Sequence, residues 1–355
     1  MKKLSCLSLY LILSLFGFAK QDSAYYKGDD KRIHYTGRID YSEKNAPKYW
    51  SSGAYLQLKF KGTYCVLLIE DQVRWGKIHN YVEIIIDDSI VRRVQLKEVN
   101  NRLVVAENLP DGNHTLTLAK NTEAENGYIQ VRGIICEQLL KPSKKKKRKI
   151  ECIGDSITCG AASDESEIPC GKGDWHDQHN AWLAYGPRAA RTLNAQWHLS
   201  SVSGIGLIHS CCNKKIVMPE VYDKINIPGD SLDWNFKNYQ PDVVTICLGQ
   251  NDGIQDSTAF CGAYVEFAKR LRSYYPKATL VFLTSPMASP ELKKVLVNYT
   301  TAVRDYFLQQ GDKRVGSYAF KGHYTNGCGS HPSTEEHGEI AKELSAYLQQ
   351  RMKWK

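Results

Sequence analysis

Between residues 31 and 140 the chain alternates apolar and polar positions, or runs apolar, in short bursts. These are AYLQLKFKG, CVLLIED, YVEIIIDD, RLVVAENL, HTLTLAK and YIQVRGIICEQ. They are rich in β-branched and aromatic residues and are parted by turn signals such as KGT, DD and PDGNH, so they predict strands. No stretch of helical period intervenes. Many short strands without helices predict an all-β sandwich or jelly roll.

The pattern changes after residue 149. RKIECIGDS reads as a strand ending in a tight turn, AWLAYGPRAARTLNA has helical spacing, and WHLSSVSGIG returns to a strand. The apolar strand PDVVTICLGQND precedes the amphipathic AYVEFAKRLRSYYP. ATLVFLTSPM then precedes a second long helical run, SPELKKVLVNYTTAVRDYFLQQG. STEEHGEIAKELSAYLQQRM closes the chain, with Ser333 or Thr334 as helix cap and acidic residues in its first turn. Strands alternating with helices predict a parallel sheet covered on both faces, with ligands at the carboxyl ends of its strands.

Length and composition fit this two-part reading. A chain of 355 residues accommodates two domains. With 42% hydrophobic and 24% charged residues it is ordinary globular material rather than disordered or fibrous. The start, MKKLSCLSLYLILSLFGFAK, has the lysine pair, apolar run and small-x-small ending of a secretory signal peptide cleaved after Ala19. The run is shorter than the roughly 20 residues a membrane span requires. The expected organisation is therefore a leader (1–19), a β domain (20–140), a basic linker (141–149) and an α/β domain (150–355). The mature chain is expected to be secreted or periplasmic, with no membrane span.

The linker KPSKKKKRK carries much of the formal charge of +9. It reads as a solvated, self-repelling segment rather than a nucleic-acid site. Of eleven cysteines, Cys6 lies in the leader. Cys65, Cys136, Cys152 and Cys247 sit in strand-like runs and read as buried small hydrophobes. Cys159 with Cys170, or Cys211 with Cys212, are candidate bridges in an oxidising compartment.

Four polar clusters stand at predicted strand ends. Ser156, in IGDSITCG, opens a short helix where its hydroxyl is accessible, although Asp155 and Ser156 also suit a plain cap. Gly204, in SVSGIG, leaves its N–H unshielded, as any turn glycine does. Asn251, in LGQND, offers an amide donor of the kind that holds an oxyanion, or else an Asx turn. His331, in HPS, precedes the last helix.

Together, in this order, GDS, Gly204, GQND and HPS resemble the SGNH (GDSL-like) hydrolase superfamily over roughly residues 149–355. The preceding β domain, with GDSITCG, SGIG, MPEVYDK and GCGSHPS, is similar to carbohydrate esterase family 2, exported deacetylases of plant polysaccharides. The resemblance implies a Ser156 nucleophile, a His331 base, and an oxyanion hole from the N–H groups of Ser156 and Gly204 with the Asn251 side chain. It implies an acetylated polysaccharide substrate and neither cofactor nor metal. Lipid or thioester hydrolysis on the same scaffold, and a glycan-binding protein with a decayed esterase site, are the alternatives.

Two positions depart from the pattern. Cys328 stands three residues before His331, where the superfamily places an Asp, and a thiol is a poor acceptor for an imidazole N–H. The resemblance then implies a Ser-His dyad oriented by a backbone carbonyl, with His331 titrating near its ordinary ~6.5. Ser330 replaces the tryptophan that relatives often carry beside the histidine. Trp234 and Trp175 are the candidate sugar-stacking substitutes. The loop after Ser156 also holds Asp174, His176, Asp177 and His179, which are ligand-type residues without a helix template to space them.

Overall fold

The computed structural model describes residues 23–229 and 232–355, so the leader lies outside the described residues. Nine strands form the first sheet: β1 (Ala24–Lys27), β2 (His34–Thr36), β3 (Lys48–Tyr49), β4 (Tyr55–Asp71), β5 (Tyr81–Ile86), β6 (Ile90–Gln95), β7 (Asn100–Ala106), β8 (Asn113–Lys120) and β9 (Ile129–Leu140). All pair antiparallel, in the order β1-β9-β4-β8-β5-β6 with β2, β3 and β7 branching off.

Two predicted strands, AYLQLKFKG and CVLLIED, are one continuous β4. It turns a corner at Gly62, whose φ of +105° only glycine adopts without strain. Its first half pairs with β8 and its second half with β7, so the sheet closes around one core that includes Leu56, Phe60, Leu67, Ile84, Leu118 and Ile134. The exposed strand β6, IVRRVQ, was not legible from alternation because little of it is buried.

The second unit is a parallel five-stranded sheet in the order β11-β10-β12-β13-β14. Its strands are β10 (Arg148–Gly154), β11 (Ala195–Ser201), β12 (Val243–Cys247), β13 (Thr279–Leu283) and β14 (Val315–Tyr318). The helices are α1 (Ser156–Cys159), α2 (Tyr185–Thr192), α3 (Met218–Val221), α4 (Ser257–Tyr274), α5 (Pro290–Gln309) and α6 (Thr334–Met352). Alternate strand residues face opposite cores, which is why these strands read as continuous apolar runs. Val244 and Ile246 meet α4 and α5, while Val243 and Cys247 meet α2 and α6. A capping box between Ser333 and Glu336 starts α6. Among the described residues no helix is long and apolar enough to cross a membrane.

The two units are locked together by buried contacts. Arg38 of the β unit pairs with Glu151 on β10 at 3.5 Å, both side chains fully buried, and also donates to Ser200 and the Tyr222 and Lys224 carbonyls. Tyr55 stacks on Trp197 with ring centroids 4.2 Å apart, and the Trp197 indole donates to Gly53 O. A buried charge without its partner costs several kcal/mol, so Arg38 and Glu151 hold each other's domain in register.

Candidate active site

β10 ends at Gly154, and the chain turns through Asp155 into α1. A Cβ at Gly154 would lie 2.1 Å from Thr158 Oγ1, so only glycine permits this turn. The Asp155 carboxylate caps Ile157 N at 3.1 Å, and Gly160 in the left-handed region ends α1 after one turn. Ser156 is thereby held at the carboxyl edge of the sheet, 7% exposed. Burial raises Asp155 to about 7.

His331 arrives from the opposite side. Its Nε2 lies 2.8 Å from Ser156 Oγ, and its Nδ1 faces Gly329 O at 3.2 Å. The Gly329 carbonyl fixes the tautomer: Nδ1 carries the proton and Nε2 accepts one from the serine. Gly329 (φ 56°) and Ser330 (φ 59°) are both left-handed, which bends the chain enough to bring the ring back over a carbonyl only two residues away. Burial lowers His331 below its ordinary 6.5, and the Gly329 carbonyl offsets this only in part. The expectation of an unperturbed value is corrected accordingly.

The loop carrying His331 is pinned at several points. Cys328 is bonded to Cys170, Cys328 N donates to Ala162 O, and Thr334 N donates to Ser163 O. Glu336 accepts from the N–H groups of Thr325 and Asn326. The candidate Cys159–Cys170 bridge therefore does not form. Cys159 is a buried free thiol against Ser201 and Glu123, while Cys211 and Cys212 are joined to each other. Spacing along the chain carries no information about a bridge that spans 158 residues.

Gly204 (φ +76°) lies in the loop after β11. Two carboxylates clamp that loop. Glu123 accepts from Ser203 N at 2.7 Å and from the Ser203 hydroxyl. Asp252 accepts from Leu207, Ile208 and His209 N at 2.7–3.0 Å. Next to it, Asn251 donates its amide to Ile205 O at 2.9 Å and to Asp155 Oδ2 at 3.2 Å.

Sequence reasoning missed Glu123. It comes from the β unit, on the turn after β8, and is 3% exposed. The fully buried Lys120 ammonium holds this turn through Thr122 O and Glu123 O, each at 2.8 Å. Besides Ser203, Glu123 meets His179 Nε2 at 2.9 Å. Burial alone would raise its pKa, but the His179 and Ser203 hydrogen bonds outweigh that and hold it at about 2. No signal in KNTEAENG marked it, because its partners belong to the other domain.

Of the two tryptophans, Trp175 stands beside the pair. Its ring is edge-on to His331 at 5.2 Å and to His179 at 5.4 Å, and 47% of it is exposed. Trp234 does not line this site. It is 6% exposed, packs against His198 and lies before β12 at the opposite end of the sheet, so its assignment to the catalytic cleft is withdrawn. The ligand-type residues of the 174–179 segment serve to dock it. Asp177 accepts from the Tyr81 hydroxyl at 2.9 Å, and Arg93 donates to the Asp177 and His179 carbonyls. The one grouping of three ligand-type residues within reach of a common ion among the described residues, Glu165 with Cys170 and Cys328, contains the disulfide.

A family model for the carbohydrate esterase 2 N-terminal domain matches residues 35–143, and one for GDSL-like lipases and acylhydrolases matches 152–317. "Cellulase/esterase CelE" of Acetivibrio thermocellus is 30% identical over 94% of this chain, which spans 41% of CelE's length. An "Acetylxylan esterase / glucomannan deacetylase" of Cellvibrio japonicus is 28% identical over 78% of each chain. The solved family two carbohydrate esterase from Clostridium thermocellum in complex with cellohexaose superposes with a TM-score of 0.83. It is 29% identical over 91% of this chain and 100% of that one.

Proposed function

The chain belongs to carbohydrate esterase family 2 and is a carboxylic ester hydrolase; from that premise we propose that it removes O-acetyl groups from plant-type polysaccharides by a Ser156–His331 mechanism, outside the cell that makes it. The observation that carries the mechanism is the 2.8 Å contact between Ser156 Oγ and His331 Nε2, with Nδ1 turned to a backbone carbonyl.

Ser156 Oγ attacks the acetyl carbonyl carbon while His331 Nε2 takes the hydroxyl proton. The carbonyl oxygen becomes an oxyanion facing the N–H groups of Ser156 and Gly204 and the Asn251 amide. Collapse breaks the bond to the sugar oxygen, and His331 returns the proton to that oxygen as the deacetylated sugar leaves. Water, deprotonated by the same nitrogen, releases acetate and restores Ser156. Asn251 already serves two acceptors, and its longer bond, to Asp155, is the one to yield when the oxyanion forms. The Gly329 carbonyl stabilises the transient imidazolium less than a carboxylate does, and the half-exposed Trp175 ring beside the base suits contact with a pyranose ring.

Glu123 acts as a positioning residue. One carboxylate holds the Gly204 loop through Ser203 and the Trp175 side through His179, so the β unit sets both flanks of the reacting serine. Acetate release from acetylated xylan and glucomannan by the wild type, set against Ser156→Ala, tests the reading. Equal release by both overturns it.

A further inference from the structure

The basic run and Trp234, two features the catalytic end does not use, meet in one cavity. It measures about 630 Å³ and lies at the amino end of the parallel sheet, between the β unit and the starts of β10 and β11. β10 separates it from Ser156 by seven residues, about 20 Å of strand. Its volume falls within the roughly 300–1,000 Å³ of ligand pockets.

Four of its lining residues are cations, Lys145, Lys146, Lys147 and Lys149, and none is a carboxylate. Among the described residues none of the four lysines has an ion-pair partner. Lys145, Lys146 and Lys147 are exposed to solvent, but the segment is tied down by Lys145 Nζ to Tyr35 O at 2.6 Å and by the Gln196 amide to Lys146 O at 2.5 Å. Like charges gathered on a fixed wall raise one another's free energy and are relieved by an anion.

Four of the other lining residues are aromatic: Tyr35, Tyr41, Trp234 and Tyr239. Tyr41 is 58% exposed and braced edge-on by Tyr35, and Lys149 Nζ lies 5.5 Å over the Tyr239 ring. Trp234 also lines the cavity, but its indole N–H is buried away from solvent, so the ring contributes apolar surface to the wall rather than a donor.

We propose that this cavity is a second carbohydrate site, specific for an acidic sugar such as a uronate borne on the polysaccharide. The lysines meet the carboxylate and Tyr41 meets the apolar face of the ring. The choice of a sugar rests on the carbohydrate reading of the catalytic end. Binding here is measured without turnover, so the two readings fail separately. Anchoring an acidic branch about 20 Å from Ser156 raises the local concentration of acetyl esters on the same chain.

The test is calorimetric titration of the full chain with a glucuronic-acid-substituted xylotetraose, with neutral xylotetraose and with inorganic pyrophosphate. The acidic sugar is expected to bind, and to weaken as salt rises. Binding should fall at least tenfold in the triple variant Lys145→Gln, Lys147→Gln, Lys149→Gln, and in Tyr41→Ala, at unchanged melting temperature. Neutral sugar binding that rivals the acidic sugar, or acidic-sugar binding that survives the triple variant, overturns the proposal. Pyrophosphate binding as tightly, with Tyr41→Ala indifferent, overturns the sugar and leaves a site for polyanions. No binding of the acidic sugar overturns it outright.

Discussion

Ser156 and His331 meet at 2.8 Å but are held by different means. Ser156 leaves the end of β10, which is paired on both sides by β11 and β12, so sheet register fixes it through the backbone. His331 belongs to no strand or helix. A disulfide, a few main-chain hydrogen bonds and an aromatic contact to a loop docked on the other domain set its place. The serine side depends on many small, regular terms; the histidine side depends on a few irregular ones. Perturbing the first should remove chemistry and spare geometry, whereas perturbing the second should loosen geometry by degrees.

The largest effect belongs to Ser156→Ala, which is expected to cut kcat on 4-nitrophenyl acetate by about 10⁴-fold or more while the melting temperature holds. Residual activity near wild type would falsify the nucleophile role. His331→Ala should follow at about 10²-fold or more, as for loss of a general base. In the wild type, kcat/KM should rise with pH as the ring loses its proton. Because burial depresses the His331 value, the midpoint should fall below 6.5, leaving activity high into mildly acid solution; a midpoint above 6.5 contradicts the carbonyl-oriented base.

Glu123→Gln tests whether the two sides share a support. It puts an amide donor against either the Ser203 N–H or the His179 Nε2–H, and an unsatisfied buried group costs about 1–3 kcal/mol, hence about a 10- to 100-fold loss, in kcat more than KM. The ionised carboxylate stabilises the fold above the unfolded value near 4.5, and that stability goes as pH falls towards about 2. The variant should therefore lack this acid-dependent part of wild-type melting. A change confined to KM argues for a substrate contact instead.

Cys170→Ala and Cys328→Ala come next and should behave alike, because either removes the same bridge. Each is expected to lose about tenfold or less in kcat/KM, at most ~1.4 kcal/mol, with a bridge over so long a loop worth about 3–5 kcal/mol of stability. A dead but folded Cys328→Ala beside an active Cys170→Ala would make the thiol itself part of the chemistry. The smallest effect is expected from Trp175→Ala: KM for acetylated xylan up by about three- to tenfold, the worth of one aromatic contact, with 4-nitrophenyl acetate little affected. A reverse pattern, kcat lost on both substrates, would make Trp175 a brace for His331.

What the sequence determined is whatever short-range pattern controls. Alternation and turn residues predicted an all-β unit, strands alternating with helices predicted a parallel sheet, GDS, SGIG and GQND stood at its strand ends, and HPS stood before the last helix. The three long helices and the capping box of α6 follow from local periodicity and local hydrogen bonds. Tertiary structure alone decided what depends on partners far apart in the chain. It joined Cys170 to Cys328, carried Glu123 across the domain boundary to Ser203 and His179, and separated Trp175 from Trp234 by the length of the sheet. It also tethered the solvent-exposed lysine run to Tyr35 and Gln196 at the rim of a cavity. A side chain's identity limits the bonds it can make, but which of them it makes is set by the residues that folding places within about 3 Å, the reach of a hydrogen bond.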